Sequence, residues 1–179
     1  ADIVGFVLRA GRFYLLETAA QVLARTLLLP PSPAEQRPRP SRVQVTLTKF
    51  GVLPGLARPR VVVEALARDQ HYAVERKPWG SVEVLAETRL FGLYRLNVAA
   101  GCEIPNHLHR RMREAEMVLT GGLLGWADGS EPGPLQVGAT FEWAPKQPHG
   151  YRGCGERGGS ILCLDSPPFS PEDEVEVPL

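Results

Sequence analysis

From Pro78 onward the chain breaks into short alternating runs of apolar and polar residues, cut apart by Gly and Pro. The runs are Val82–Leu85, Leu90–Val98, Ala115–Thr120, Leu123–Trp126, Phe141–Trp143 and Ile161–Leu164. A period of two belongs to a strand with one buried face. Many such runs with frequent turn residues restrict this region to a β-sandwich or a barrel. The first 67 residues obey a different rule. Ile3, Val4, Phe6, Val7 and Leu8 form one helical face, which Ala10-Gly11-Arg12 breaks. Leu16, Ala19, Ala20, Leu23 and Leu27 recur at helical spacing from about Tyr14 to Leu29, until Pro30-Pro31-Ser32-Pro33 stops the helix. Val43, Val45 and Leu47 alternate with polar residues as a half-buried strand, with Lys49 in phase on the apolar side. Gly51 to Pro59 is loop-like, and Val61-Val62-Val63 starts a second strand. The expected architecture is therefore an α+β unit, helix–helix–strand–strand, over residues 1–67, then a polar connector over 68–77. An all-β domain over 78–170 and a loose acidic tail over 171–179 complete it.

Composition narrows the function classes. Hydrophobic residues make up 44% of the 179, enough for a packed core. Lys+Arg and Asp+Glu both number 20, so no net charge draws the chain to nucleic acid or a membrane surface. The same neutrality favours self-association into a homo-oligomer. Cys102, Cys154 and Cys163 are an odd set without paired spacing, the mark of a reduced, cytoplasmic chain. The longest apolar stretch, around Leu27 to Leu29, is far too short to span a bilayer.

The chemistry concentrates in the all-β region. His107 and His109 lie two apart, so on a strand both leave the same face. Glu114 and His149 add a carboxylate and a further imidazole, ligand types for a divalent transition metal. Such a donor set suits Fe, Mn, Zn, Ni or Cu alike. The spacing runs Gly101, five residues, His107-Leu-His109, four residues, Glu114, six residues, Gly121. A second pattern runs from Gly138 through Ala144-Pro145-Lys146 to His149, with Ala144 and Lys146 where Pro and Gly are usual. Together these resemble the two motifs of the cupin family. The resemblance implies a double-stranded β-helix barrel whose metal is held by His107, His109, Glu114 and His149. Lys77-Pro78-Trp79-Gly80-Ser81 resembles the entry segment of cupins related to mannose-6-phosphate isomerase, which implies a sugar-like or small polar ligand. Trp79 also suits a plain role as a plug of the barrel end. Tyr151 and Arg152, close behind His149, are candidate substrate contacts, Arg152 for a carboxylate or phosphate.

The N-terminal unit carries a second resemblance. Arg12-Phe13-Tyr14-Leu15-Leu16-Glu17-Thr18-Ala19-Ala20, the strand Val43 to Lys49, and Leu53-Pro54-Gly55 are similar to the second half of dihydroneopterin aldolase, a tunnelling fold. The resemblance implies that Glu17 anchors a pterin through paired N–H bonds and that Lys49 does acid–base work, with no cofactor. A lysine in phase with the buried side of its strand is expected to be partly desolvated. Phe50 stands where the family has Pro, and the family's first half is missing. The abrupt helical start without Met suggests a truncated module. The expected function is thus a dihydroneopterin-aldolase-like segment, cleaving dihydroneopterin in folate biosynthesis, fused to a metal-binding cupin. The alternatives are a metal-dependent cupin enzyme in its own right, a sugar isomerase or dioxygenase, or a non-catalytic cupin that binds a small molecule while an inactive N-terminal unit drives oligomerisation.

Overall fold

The computed structural model describes residues 2–50, 58–127 and 129–178. Leu53-Pro54-Gly55 lies outside the described residues. Helix α1 (Ile3–Gly11) is capped by Asp2, whose carboxylate accepts the Gly5 N–H at 2.8 Å. Helix α2 (Leu16–Leu27) buries Ala19, Ala20, Val22, Leu23 and Ala24. Strands β1 (Arg42–Thr48) and β2 (Arg60–Leu66) pair antiparallel as a two-stranded sheet, and α2 packs across both. Among the described residues, no helix is long and apolar enough to cross a membrane.

The remaining strands are β3 (Ala73–Lys77), β4 (Gly80–Glu87), β5 (Gly92–Val98), β6 (Glu103–His109), β7 (Arg113–Val118) and β8 (Leu123–Ala127). After them come β9 (Gly133–Pro134), β10 (Thr140–Trp143), β11 (His149–Gly153), β12 (Gly159–Ser166) and β13 (Glu174–Glu176). They form a six-stranded sheet, β10-β7-β12-β5-β4-β3, and a five-stranded sheet, β13-β6-β11-β8-β9. Val98, Val118 and Ile161 of the first sheet share one apolar cluster with Ile104, Leu123 and Tyr151 of the second, so the two sheets face each other. Trp79 packs, half-buried, against that cluster.

Alternation divides the six-stranded sheet between two cores. Inner residues such as Val98, Val118 and Ile161 fill the barrel, while Leu85, Leu93, Met117 and Leu162 join Phe6, Val7, Leu23 and Val45 in a second cluster. The helix–strand unit therefore covers the outer wall of the barrel. Buried Arg95 on β5 reinforces this seam. Its Nη1 donates to Pro30 O at 2.7 Å and Glu35 Oε2 at 2.8 Å, and its Nε donates to Glu83.

Four strands depart from the sequence pattern. Residues 68–77, expected as a connector, contain β3, an edge strand with exposed charges that shows no buried alternation. The tail, expected to be loose, contributes β13, paired with β6 as Glu174↔His109, Val175↔Leu108 and Glu176↔His107. Strands β6 and β11 fell outside the alternating runs because their inward positions are histidines rather than aliphatic residues.

Candidate metal centre

The four candidate ligands meet. Strand β6 carries His107 and His109 inward, and a turn through Arg110–Met112 leads to Glu114 on β7. Strand β11 pairs with β6 so that His149 stands opposite His107. One donor atom from each of His107, His109, Glu114 and His149 lies within 4.8 Å of all the others. Glu114 Oε2 is 3.1 Å from His149 Nε2 and 3.3 Å from His109 Nε2. None of the four residues is more than 7% exposed.

Two glycines that anchor the sequence motifs shape the approaches. Gly101 and Gly138 have φ of 73° and 88°, the left-handed region that glycine enters at no steric cost. Lys146 also sits left-handed at φ 68°. Its N–H donates to His109 O at 2.6 Å, which ties the turn before His149 to the end of β6.

The hydrogen bonds leave the right atoms free. His107 Nδ1 is 2.8 Å from Pro105 O, and His149 Nδ1 is 3.2 Å from Gln147 O. A carbonyl can only accept, so both Nδ1 atoms carry hydrogen and both Nε2 atoms present lone pairs when the rings are neutral. Such backbone bonds fix the tautomer of metal-ligating histidines elsewhere. His149 Nε2 and Glu114 Oε2 are buried and, despite their proximity, make no hydrogen bond. Orphaned buried polar atoms are costly unless something else satisfies them. A divalent cation among the four donors does so, and the residues present fit one.

Electrostatics favours the same assignment. Burial, helped by His149, pushes His107 below its usual value, and burial likewise lowers His109. Burial would raise the Glu114 carboxyl, but its contacts with His149, His109 and His107 prevail and hold it low. Burial would lower His149, but the Glu114 carboxylate prevails and raises it. Neutral imidazoles at His107 and His109 beside an ionised Glu114 are the ligand forms a metal takes.

Beyond the four donors the interior stays polar. Trp143 Nε1 donates to Glu116 Oε2 at 2.5 Å, and the Tyr151 hydroxyl donates to the same oxygen. The Trp143 indole stacks on the His149 ring at 4.7 Å, with Phe141 stacked behind it at 5.7 Å. Cys163 Sγ donates to Asp165 Oδ1 at 2.7 Å. Sequence reasoning missed Glu116, Cys163 and Asp165. Their signal is the two-residue step from Glu114 to Glu116 and from Cys163 to Asp165, which keeps each pair on the inner face.

The other candidates separate. Tyr151 lies inside the barrel, its ring 5.9 Å from that of His149. Arg152 does not join it, because the next strand position faces outward. It is exposed, ion-paired with Glu103 at 2.6 Å and set over the outer Trp126 ring. Glu17 is exposed in the first turn of α2, where a carboxylate complements the helix dipole. Lys49 falls one residue past the end of β1 and is exposed, so the expected desolvation is absent. It lines a groove of about 320 Å³ with Leu8, Phe13, Tyr14, Leu16 and Phe50, and Glu17 is not among the lining residues.

No protein-family model matches the chain, and no curated protein matches it. Solved structures do resemble it. Streptomyces Pac13, determined with uridine, is 17% identical and superposes over 60% of this chain and 86% of its own, at a TM-score of 0.50. Pac13 is described as a β-barrel nucleoside dehydratase. The capsular polysaccharide assembling protein CapF from Staphylococcus aureus is 14% identical over 61% of this chain and 35% of its own, at a TM-score of 0.53. KdgF from Halomonas sp. is 20% identical over 56% of this chain and 90% of its own, at a TM-score of 0.49. The neighbours are double-stranded β-helix, cupin-like proteins, and at these identities the likeness is one of fold. It lends no support to a dihydroneopterin-aldolase half or a tunnelling fold in residues 1–67.

Proposed function

We propose that this chain is a metal-dependent cupin enzyme acting on a small, hydroxylated, sugar-like metabolite. One observation carries the reading: four buried donors from three strands converge, with the Nε2 atoms of His107 and His149 left free by backbone bonds to the opposite nitrogen. A metal held by His107, His109, Glu114 and His149 supplies Lewis-acid polarisation of a bound oxygen. The protein's own contribution is to fix the donors and exclude water. Pro105 O and Gln147 O orient two imidazoles, and the Trp143 indole braces the His149 ring from one side. Tyr151 and Glu116 make the adjoining interior polar, which suits a hydroxyl-bearing ligand better than an apolar one. The cupin-like fold and the nucleoside chemistry of Pac13 are in keeping with this reading.

The test uses mannose 6-phosphate and uridine as probes, with metal-loaded and chelator-stripped protein compared by thermal shift and product analysis. Metal-dependent stabilisation and turnover by a sugar-type probe are expected, with both lost on stripping. Equal responses from loaded and stripped protein contradict a metal-dependent site. Metal-dependent oxygen consumption would instead assign the dioxygenase branch.

A further inference from the structure

We propose that the barrel holds a second metal ion beside the His-lined one, bound by Glu114, Glu116 and Cys163, with the Glu114 carboxylate bridging the pair. The proposal rests on the metal-centre reading only in sharing Glu114.

The two oxygens of Glu114 look toward different donors. Oε2 lies among the imidazoles, 3.1 Å from His149 Nε2 and 3.3 Å from His109 Nε2. Oε1 lies 3.5 Å from Cys163 Sγ. One donor atom each of Glu114, Glu116 and Cys163 falls within 4.8 Å of the other two. The topology explains the grouping. Glu114 and Glu116 are alternate residues on β7, and Cys163 on β12 pairs directly with Glu116. With metal–sulfur and metal–oxygen bonds of about 2.3 and 2.1 Å, a tetrahedral ion sets its sulfur and oxygen ligands about 3.6 Å apart. The Glu114–Cys163 separation is already of that size.

A second, independent feature points to a ligand. Glu116 is 1% exposed, and its two oxygens are treated differently. Oε2 accepts from Trp143 Nε1 and the Tyr151 hydroxyl, whereas Oε1 is buried with no hydrogen-bond partner among the described residues. A carboxylate pinned through one oxygen and bare on the other is the arrangement of a ligand with its outer-sphere support in place. Among the described residues, Glu114 lies against His149 and His109, whereas Glu116 has no lysine, arginine or histidine paired with it. As the ion binds, the protons of the Glu116 carboxyl and the Cys163 thiol leave, and its positive charge compensates the carboxylates and the thiolate so formed. The thiol hydrogen, held on Asp165 Oδ1 at 2.7 Å, is released to solvent as the sulfur takes the ion. Mixed oxygen–sulfur donors suit zinc, cobalt or ferrous iron rather than calcium or magnesium. Two ions sharing a carboxylate sit about 3.5–4 Å apart, a spacing at which both can act on one substrate oxygen.

Cobalt(II) titration of the metal-stripped full chain tests this without reference to activity. The expected result is two equivalents per chain, one of them with a thiolate-to-cobalt charge-transfer band in the near ultraviolet. Cys163→Ser should drop the stoichiometry to one and abolish the band, leaving the visible ligand-field absorption of the His-lined cobalt. Glu116→Gln, nearly isosteric, should also drop the stoichiometry to one, which covers the case of a Cys163 variant that fails to fold. A single equivalent in the native chain, with or without a thiolate band, overturns the second site while the His-lined centre stands. A Cys163→Ser chain that still takes two equivalents also overturns it. No cobalt at all in the native chain removes both centres.

Discussion

At the scale of single residues, the centre depends on small backbone decisions as much as on the ligands. The carbonyls of Pro105 and Gln147 each take an Nδ1 hydrogen and so decide which face of the imidazole is left for a metal. The left-handed turn at Lys146 carries the chain into β11. A left-handed L-residue costs about 1–2 kcal/mol, partly offset for glycine by its greater unfolded-state freedom. Lys146→Gly is therefore expected to stabilise the chain by about 0.5 kcal/mol in a thermal melt with metal affinity unchanged. Glu116 sets a pH dependence. Burial, with the Glu114 charge, raises its carboxyl from 4.5 to about 7. The folded metal-free chain then keeps a proton that the unfolded chain has released, so stability falls as pH rises across that interval. Urea unfolding of metal-free protein at about pH 5 and about pH 8 should show this loss, and Glu116→Gln should shrink it. The ligand spacing was legible in the sequence because His107, His109, Glu114 and His149 are chemically distinctive. Glu116 and Cys163 were not, since a lone acid and a lone thiol signal little until β7 and β12 place them together.

At the scale of elements, the C-terminal segment is part of the centre's frame. Asp173 O accepts the Arg110 N–H at 3.0 Å, and its carboxylate accepts the N–H groups of Arg111 and Met112 at 3.1 and 2.9 Å. This clamp holds the turn that separates His109 from Glu114, while β13 lies along the strand bearing both histidines. Burial opposes ionisation of Asp173, but the Met112 and Arg111 N–H groups and the Arg111 guanidinium prevail and hold its carboxyl below the usual range. The clamp is thus fully present above about 3.8, the ordinary aspartate value, and is lost only as pH falls through the lower folded value. Asp173→Ala is expected to cost about 1.5–3 kcal/mol, the range for hydrogen bonds to a charged group. It should also speed hydrogen exchange at the Arg111 and Met112 amides. Unchanged exchange there would mean that the tail does not hold the turn. The sequence could not announce β13 because Glu174 and Glu176 are exposed, and only Val175 is half-buried. A strand built mainly by edge hydrogen bonding leaves no apolar alternation to read.

At the scale of the whole molecule, the six-stranded sheet carries a core on each face, one inside the barrel and one against the helix–strand unit. The change of pattern at Pro78 was visible in the sequence, and so was the helix–helix–strand–strand order. What alternation could not reveal is that Leu85, Leu93 and Leu162 face the helices rather than the barrel interior. Nor could it show that Arg95 reaches Pro30, Glu35 and Glu83 across the seam. Removing one partner of a buried ion pair typically costs about 3–5 kcal/mol. Arg95→Ala is expected to fall in that range and to lower the melting of helices and barrel together, seen as one calorimetric transition. The central claim concerns the His-lined centre, and X-ray absorption of the Cys163→Ser chain loaded with one equivalent of zinc tests it most directly. The expected spectrum shows several imidazoles at about 2.0–2.1 Å with a carboxylate oxygen and no sulfur. A shell of oxygen donors alone, or a chain that retains no zinc, contradicts a metal held by His107, His109, Glu114 and His149.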